Sequence, residues 1–447
     1  MRKILLIGGF GYSDVGDEAQ LTVCLVNLKK FIRDAQFFVL SDNPEHTRRN
    51  HHVETDYSIN HYLKTTNDPG FKQIEKILNL LEFARINFLL KSLILLLNAL
   101  RLRKGKNVMF LSVEGERFLR NIKNADLLFN VGGGNLTSIF RSELYGKCLT
   151  YILCRIFRIP VILSGQTIGP LYGWFDRHLT KFALNGVDVI TLRENFSKAA
   201  LEEIGVTKPV IKVTADDSTL LDSASKEEIE NIFSEEKIPI HRPLVAIGMN
   251  GLKTISHLKV TKSIRLLARL ADYLIFKYNA RIIFVSMNYR EDKPIAEKVL
   301  KMMQYSDGTN VIMHEYNDRI IKGIIAQMDL AVGLRYHFIV FAVNSGVPSV
   351  GIYLNYYYLM KIKGILTLVD QGKYAFDIEE LSLKDLEGAV DDAFQNRAYI
   401  RKKLTERTES LGQASLFSAK FAAMLILRRG QNNIRNNTKI DTQSIPN

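Results

Sequence analysis

Arg335 and His337 stand just after the apolar run Leu330–Val332 and Gly333, and just before the apolar stretch Phe338–Ser345. A strand that turns at the glycine into a helix would put a guanidinium and an imidazole at a helix N-terminus, where fixed dipoles favour an anion. An arginine grips carboxylate or phosphate through a two-pronged fork, and a histidine exchanges protons near neutral pH. Arg193, in the stretch Val189–Asn195, has the same place after another apolar run and either pairs with a carboxylate or binds an anionic ligand. Asp17 and Glu18 end a run that carries Gly8, Gly9, Gly11 and Gly16. Acids there either complement a helix dipole or take a catalytic role, and both readings stay open. Lys361 and Lys363 add cations beyond the run Ser349–Ile352.

Two further glycine loops follow apolar runs: Gly132-Gly133-Gly134-Asn135 and Ser164-Gly165-Gln166-Thr167-Ile168-Gly169-Pro170. Consecutive glycines are entropically costly and suit a close backbone approach to a ligand. In an open parallel sheet ligands lie beyond the carboxyl ends of the strands, so Gly133, Gly134, Asn135 and Gln166 are candidate binding residues. Asp216 and Asp217 follow Ile211–Ala215 and read as a turn, a domain contact or ligand groups.

Several chemistries are excluded. The glycines lack the dinucleotide spacing, no Gly-Lys-Ser/Thr phosphate loop occurs, and no Asp-x-Asp is present. Cys24, Cys148 and Cys154 form no Cys-x-x-Cys pair, so neither a disulfide framework nor a structural zinc site is expected, and no metal spacing is evident. Sixty Lys and Arg against 47 Asp and Glu give a net charge of +13, which favours anionic partners. No zinc finger or aromatic-interleaved basic repeat points to nucleic acid. The opening run stops in glycines without a cleavage site and reads as a first strand, and a reducing cytoplasm is the expected location.

The elements that must position these groups alternate. Short β-branched runs and helix-length amphipathic stretches follow one another almost throughout, the pattern of parallel sheets covered by helices on both faces. The class is α/β, with two domains expected from the length. Strands are expected near Lys3–Ile7, Phe37–Leu40, Val108–Leu111, Leu127–Asn130, Val161–Leu163, Val189–Thr191 and Val210–Val213, then near Leu244–Gly248, Arg281–Ser286, Val311–His314, Leu330–Val332 and Ser349–Ile352. The charged stretch 223–242 divides residues 1–222 from 243–427, and the polar, Asn-rich residues 428–447 read as a disordered tail. Residues 71–103 break the rhythm as a long apolar helix. Its most hydrophobic part, Ile86–Leu100, contains Lys91 and is too short to span a bilayer, for which about 20 residues are needed. With Arg101, Arg103, Lys104 and Lys106 behind it, residues 71–106 fit either an interfacial helix on an anionic leaflet or a helix buried against a sheet or a second copy.

In order along the chain, Gly16-Asp17-Glu18-Ala19, Gly132-Gly133-Gly134, Gly165-Gln166-Thr167-Ile168-Gly169-Pro170, Arg193-Glu194, Ala215-Asp216-Asp217 and Arg335-Tyr336-His337 with Gly346-Val347-Pro348 resemble the polysaccharide pyruvyl transferase family. The resemblance covers roughly residues 1–363. It departs at Asp14-Val15-Gly16-Asp17, where the family commonly has Asn-x-Gly-Asp, and at residues 71–103, and both departures bear on the acceptor.

The resemblance implies a GT-B-like pair of Rossmann-like domains with parallel sheets facing across a cleft, the first on the acceptor side and the second on the donor side. It implies transfer of pyruvate from phosphoenolpyruvate onto two hydroxyls of one sugar, in a cell-surface polysaccharide or its lipid-linked precursor. A cyclic ketal forms, phosphate leaves, and neither cofactor nor metal is implied. Arg193 and Arg335 would then clamp the donor, His337 would supply a proton, and Asp17 would orient or deprotonate the acceptor hydroxyl. A GT-B glycosyltransferase using a nucleotide sugar and a non-catalytic, membrane-associated glycan-binding protein are the alternatives.

Overall fold

In the computed structural model, which describes all residues except 66–83, 241–242, 251–255, 313 and 442–447, the strands fall into two wholly parallel sheets. The first contains β1 (Arg2–Ile7), β2 (Ala35–Ser41), β3 (Glu54–Tyr57), β4 (Leu127–Asn130), β5 (Gly133–Leu136), β6 (Val161–Ile168), β7 (Val189–Leu192) and β8 (Val210–Val213). Its order is β3-β2-β1-β4-β6-β7-β8, with β5 paired on the extension of β6. The second contains β9 (Leu244–Gly248), β10 (Arg281–Val285), β11 (Thr309–Val311), β12 (Leu330–Gly333), β13 (Ser349–Tyr353) and β14 (Ala375–Asp377), in the order β11-β10-β9-β12-β13-β14. Central strands such as β4, β6, β9 and β12 are buried along their whole length, which is why they read as unbroken apolar runs.

Four expectations change. Val108–Leu111 forms no strand. The Asn98 side chain clamps Met109 from both sides, donating to its carbonyl (2.9 Å) and accepting from its N–H (2.7 Å), and Phe110 takes a left-handed φ of 55°. Local bonds thus satisfy a backbone that would otherwise seek a sheet. Gly133–Leu136, read as a loop, is β5. Residues 223–242 are no bare connector, because the helix Lys226–Glu235 buries Ile229, Ile232 and Phe233 in the second core. The last helix runs Phe417–Asp441, where a tail was expected from residue 428; no proline interrupts it before Pro446.

That helix returns to the first domain. Ala419, Ala422 and Ile426 pack with Ile4, Leu6 and Phe129 under the first sheet, so the C-terminus ties the two domains together. The stretch Arg397–Arg429 is long and apolar enough to cross a membrane, but this packing gives it a core role. Of the sequence-predicted helix 71–103, residues Ala84–Arg103 are described and helical, and residues 71–83 lie outside the described set. Helix Val15–Phe31 stands between the domains: Ala19 and Val23 join the second core, while Leu21, Cys24 and Leu28 face the first sheet. Gln20, between those two faces, reaches both Asp216 and His337.

Candidate active site

The cleft is built where β1, β4 and β7 of the first sheet face the helix starts that follow β12 and β13 of the second. Asp14 caps helix Val15–Phe31 by accepting from the Gly16 N–H at 3.0 Å. Gly16 packs on His337 across the cleft, and a Cβ there would lie 1.8 Å from its Nδ1. Only glycine lets the two domains approach this closely.

His337, at the start of helix Tyr336–Asn344, turns its two nitrogens to carboxylates of the opposite domain. Nδ1 lies 4.0 Å from Asp14 and Nε2 lies 3.6 Å from Asp216. The Gln20 amide bridges the group, at 2.8 Å from His337 Nε2 and 2.9 Å from Asp216. Asp216 is fully buried and accepts from Arg193 Nη1 at 2.6 Å. Against the effect of burial, His337 and then Arg193 hold the Asp216 carboxyl far below the usual range.

Arg193 is also fully buried. Nε donates to Thr167 Oγ1 at 2.8 Å and the guanidinium stacks over Tyr336, 4.2 Å from the ring centre. Desolvation opposes its charge, but Tyr336 and Asp216 outweigh it and keep the group protonated. Its Nη2 has no hydrogen-bond partner among the described residues. That nitrogen points to the glycine loop: a Cβ on Gly134 would lie 3.1 Å from Nη2, 3.3 Å from Lys361 Nζ and 2.6 Å from the Tyr357 hydroxyl. Gly133 faces open space. Helix Tyr356–Leu368, capped by Asn355, carries Lys361 into the cleft. Burial, then the charge of Arg193, lowers the Lys361 ammonium to about 7, with Asp17 and Asp14 opposing. Asp17, partly exposed, is pushed up to about 6 by burial and then by Asp14, against the pull of His337 and Lys361. Both groups therefore change charge close to neutral pH, as acid–base residues of an active site do.

Other predicted residues are placed differently. Arg335 has all three nitrogens engaged: Nε and Nη2 on Asp292 (2.7–3.1 Å), Nη2 also on Glu291 (2.8 Å), and Nη1 on Asp14 (3.2 Å). It is a strut between the domains rather than an open fork. Glu18 accepts from the Gly11 N–H and pairs with His51, closing the first loop. Gln166 donates to the carbonyls of Val131 and Ser164 from beneath the Gly132–Gly134 loop, so it positions that loop. Asn135 and Asp17 both border Gly9, at 3.0 and 3.2 Å from the position of an added Cβ.

The sequence did not single out Asp14, Gln20 or Lys147 as site residues. Lys147 is buried with no partner for its Nζ among the described residues, and burial lowers it, opposed by Glu143 and then Asp17. A lysine on the buried face of the apolar helix Arg141–Phe157 was the available signal. Oxygens and a nitrogen of Asp14, Asp17 and His337 all lie within 4.8 Å of one another, close enough to share a cation. Sequence spacing cannot reveal a set drawn from residues 14, 17 and 337.

Asp217, behind the site, accepts from Ser164 Oγ at 2.5 Å. Burial pushes it up to about 7, the Ser164 hydroxyl opposing and Asp216 reinforcing. A raised carboxyl pKa means that the folded state holds the proton longer, so this group's contribution to stability falls as pH rises from about 4 to about 7. Asp217→Asn is therefore expected to raise the melting temperature by a few degrees at pH 8 and by little at pH 4, read by thermal melting across pH.

Known proteins give the cleft a context. The chain is 23% identical over 305 residues to the amylovoran biosynthesis protein AmsJ of Erwinia amylovora, covering 66% of this chain and 71% of that one. Its fold is similar to Anabaena Alr3699/HepE in complex with UDP (13% identity, TM-score 0.57, 96% and 100% of the two chains). It is also similar to UDP-GlcNAc 2-epimerase from Neisseria meningitidis bound to UDP-GlcNAc (12% identity, TM-score 0.58, 95% and 100%). These likenesses show the architecture, a GT-B-type pair of α/β domains. Residues 14–356, which carry the cleft from the Asp14 cap to the start of the Lys361 helix, match the polysaccharide pyruvyl transferase family, and the chain belongs to that family.

Proposed function

We propose that the protein transfers pyruvate from phosphoenolpyruvate onto two hydroxyls of one sugar during polysaccharide biosynthesis, forming a cyclic ketal. The observation that carries the donor half is the buried Arg193 Nη2, without a partner among the described residues, beside Lys361 and the Gly133–Gly134 backbone. A buried donor without an acceptor is costly, and an anionic ligand supplies what it lacks. Phosphoenolpyruvate offers a carboxylate and a phosphate to these two cations, one from each domain.

His337 delivers a proton to the methylene carbon, leaving an oxocarbenium-like centre at C2. The first sugar hydroxyl adds there and gives its proton to Asp17, phosphate departs with the C2–O bonding electrons, and the second hydroxyl attacks C2 to close the ring and gives its proton to the departing phosphate. The buried Asp216, charged and fixed by Arg193, holds the imidazole in place and offsets positive charge as it develops. Arg335 acts through Asp14 by holding it against the helix start. The acceptor lies on the side of Asp17, Asn135 and Lys147. Peripheral membrane contact through the Ala84–Arg103 helix places the enzyme beside a lipid-linked acceptor.

The test is thermal stabilisation and phosphate release with phosphoenolpyruvate, set against a panel of nucleotide sugars. Wild type should gain stability with phosphoenolpyruvate only. Since the anion binds the charged form of Lys361, the gain should shrink as pH rises through about 7. Lys361→Met should abolish most of the gain and flatten its pH dependence. Stabilisation by a nucleotide sugar and none by phosphoenolpyruvate overturns the proposal.

A further inference from the structure

The outward face of helix Ala84–Arg103 is apolar, and a groove continues from it. Leu89, Leu93, Leu97 and Leu100 lie on one face at spacings of four, four and three residues and are 53%, 53%, 52% and 44% exposed. The opposite face is buried: Ile94, Leu95, Ala99 and Leu102 pack into the first domain, and Lys91 reaches the Leu63 carbonyl at 3.1 Å. The core is thus already served by one side of the helix, and the leucine stripe serves something else. Contiguous exposed apolar surface of this kind marks a docking site, unlike scattered single residues.

From Leu89 the stripe enters a groove of about 750 Å³, a volume within the range of small-molecule sites, about 300–1,000 Å³. Its walls are Phe88, Tyr145, Tyr172, Trp174 and Phe175, with Trp174 71% exposed. Lys64 and Arg141 stand on its rim. Arg141 pairs with Asp176 through Nε at 3.0 Å yet remains half-exposed, so the rest of its fork faces outward. The groove adjoins the cleft. Phe140, the residue before Arg141, meets the Tyr357 ring edge-on at 5.8 Å, and Tyr357 donates to the Gly134 carbonyl at 3.0 Å. Behind the stripe, Arg103, Lys104 and Lys106 are exposed, on a chain of net charge +13.

We infer that this face docks on an anionic bilayer and that the groove holds the hydrocarbon chain of a lipid whose phosphate lies at Lys64 and Arg141. The apolar stripe, the interfacial tryptophan and the flanking cations are the three parts of such a face. The inference rests on the transferase reading only for its cargo: a sugar on that lipid phosphate would be delivered past Phe140 to Asp17.

The test uses the full chain and its single tryptophan, which lies in the groove. Flotation with phosphatidylglycerol-containing vesicles is expected, with Trp174 emission shifting to the blue, and weaker flotation with phosphatidylcholine alone. Leu93→Glu/Leu97→Glu should reduce partitioning at least about tenfold, from the apolar transfer lost. It should keep the wild-type melting temperature and the stabilisation by phosphoenolpyruvate. Arg103→Glu/Lys104→Glu, at exposed positions, is the second variant and should weaken binding to the anionic vesicles selectively. Farnesyl phosphate should shift Trp174 emission at concentrations where inorganic phosphate does not. Absent flotation, unchanged flotation of the leucine variant, or a Trp174 response to inorganic phosphate alone overturns the inference. A failed donor reading appears separately, as lost stabilisation by phosphoenolpyruvate with vesicle binding intact.

Discussion

His337→Gln is expected to lower phosphoenolpyruvate-dependent phosphate release by about 10²–10⁴-fold, the usual worth of a positioned general acid. The measurement uses an acceptor preparation on which the wild type turns over. Glutamine keeps a polar group near the position of Nε2, beside Gln20 and Asp216, so the melting temperature should move by only a few degrees. Arg193 and Lys361 are untouched, so stabilisation by the donor should persist. That separation carries the argument, because it distinguishes a lost proton transfer from a lost binding site. Release within tenfold of wild type would remove His337 from the proton path and leave Asp17 as the candidate for both transfers.

Much of the fold was legible because burial writes itself into composition. Strands β4, β6, β9 and β12 are covered on both faces and read as apolar runs. Strand β3, Glu-Thr-Asp-Tyr, lies at the sheet edge and carries no such signal, and Val108–Leu111 carried a false one because Asn98 satisfies its backbone. The site was legible as positions but not as pairings. Arg193, Asp216 and His337 each stood out at a strand end, yet the contacts that give them roles come from residues far away in the chain. Gln20 lies 196 positions from Asp216 and 317 from His337. Arg335 reads as a ligand clamp so long as Asp292 and Glu291 are unseen, and both sit in an ordinary surface-like stretch, Tyr289–Leu300. Its saturation is a property of the folded chain alone.

That saturation makes Arg335→Met a test of stability more than of donor binding. Asp292 is fully buried and accepts the backbone N–H groups of Met287 and Asn288 at 3.0 Å each, and Met287 in turn accepts the Val15 N–H at 2.9 Å. Removing the guanidinium leaves this carboxylate charged and uncompensated, a loss of about 3–5 kcal/mol for a broken buried pair. The melting temperature should fall by roughly 10 °C. Replacing both partners, Arg335→Met/Asp292→Asn, should recover much of the loss, because no buried charge is then left alone and the amide oxygen can still accept the Met287 and Asn288 N–H groups. The double variant should also still be stabilised by phosphoenolpyruvate, though with a weaker gain, since Asp14 loses its anchor on the second domain. If instead the single variant melts like wild type and loses all stabilisation by phosphoenolpyruvate, Arg335 opens to the donor on binding and the three carboxylates are its resting partners.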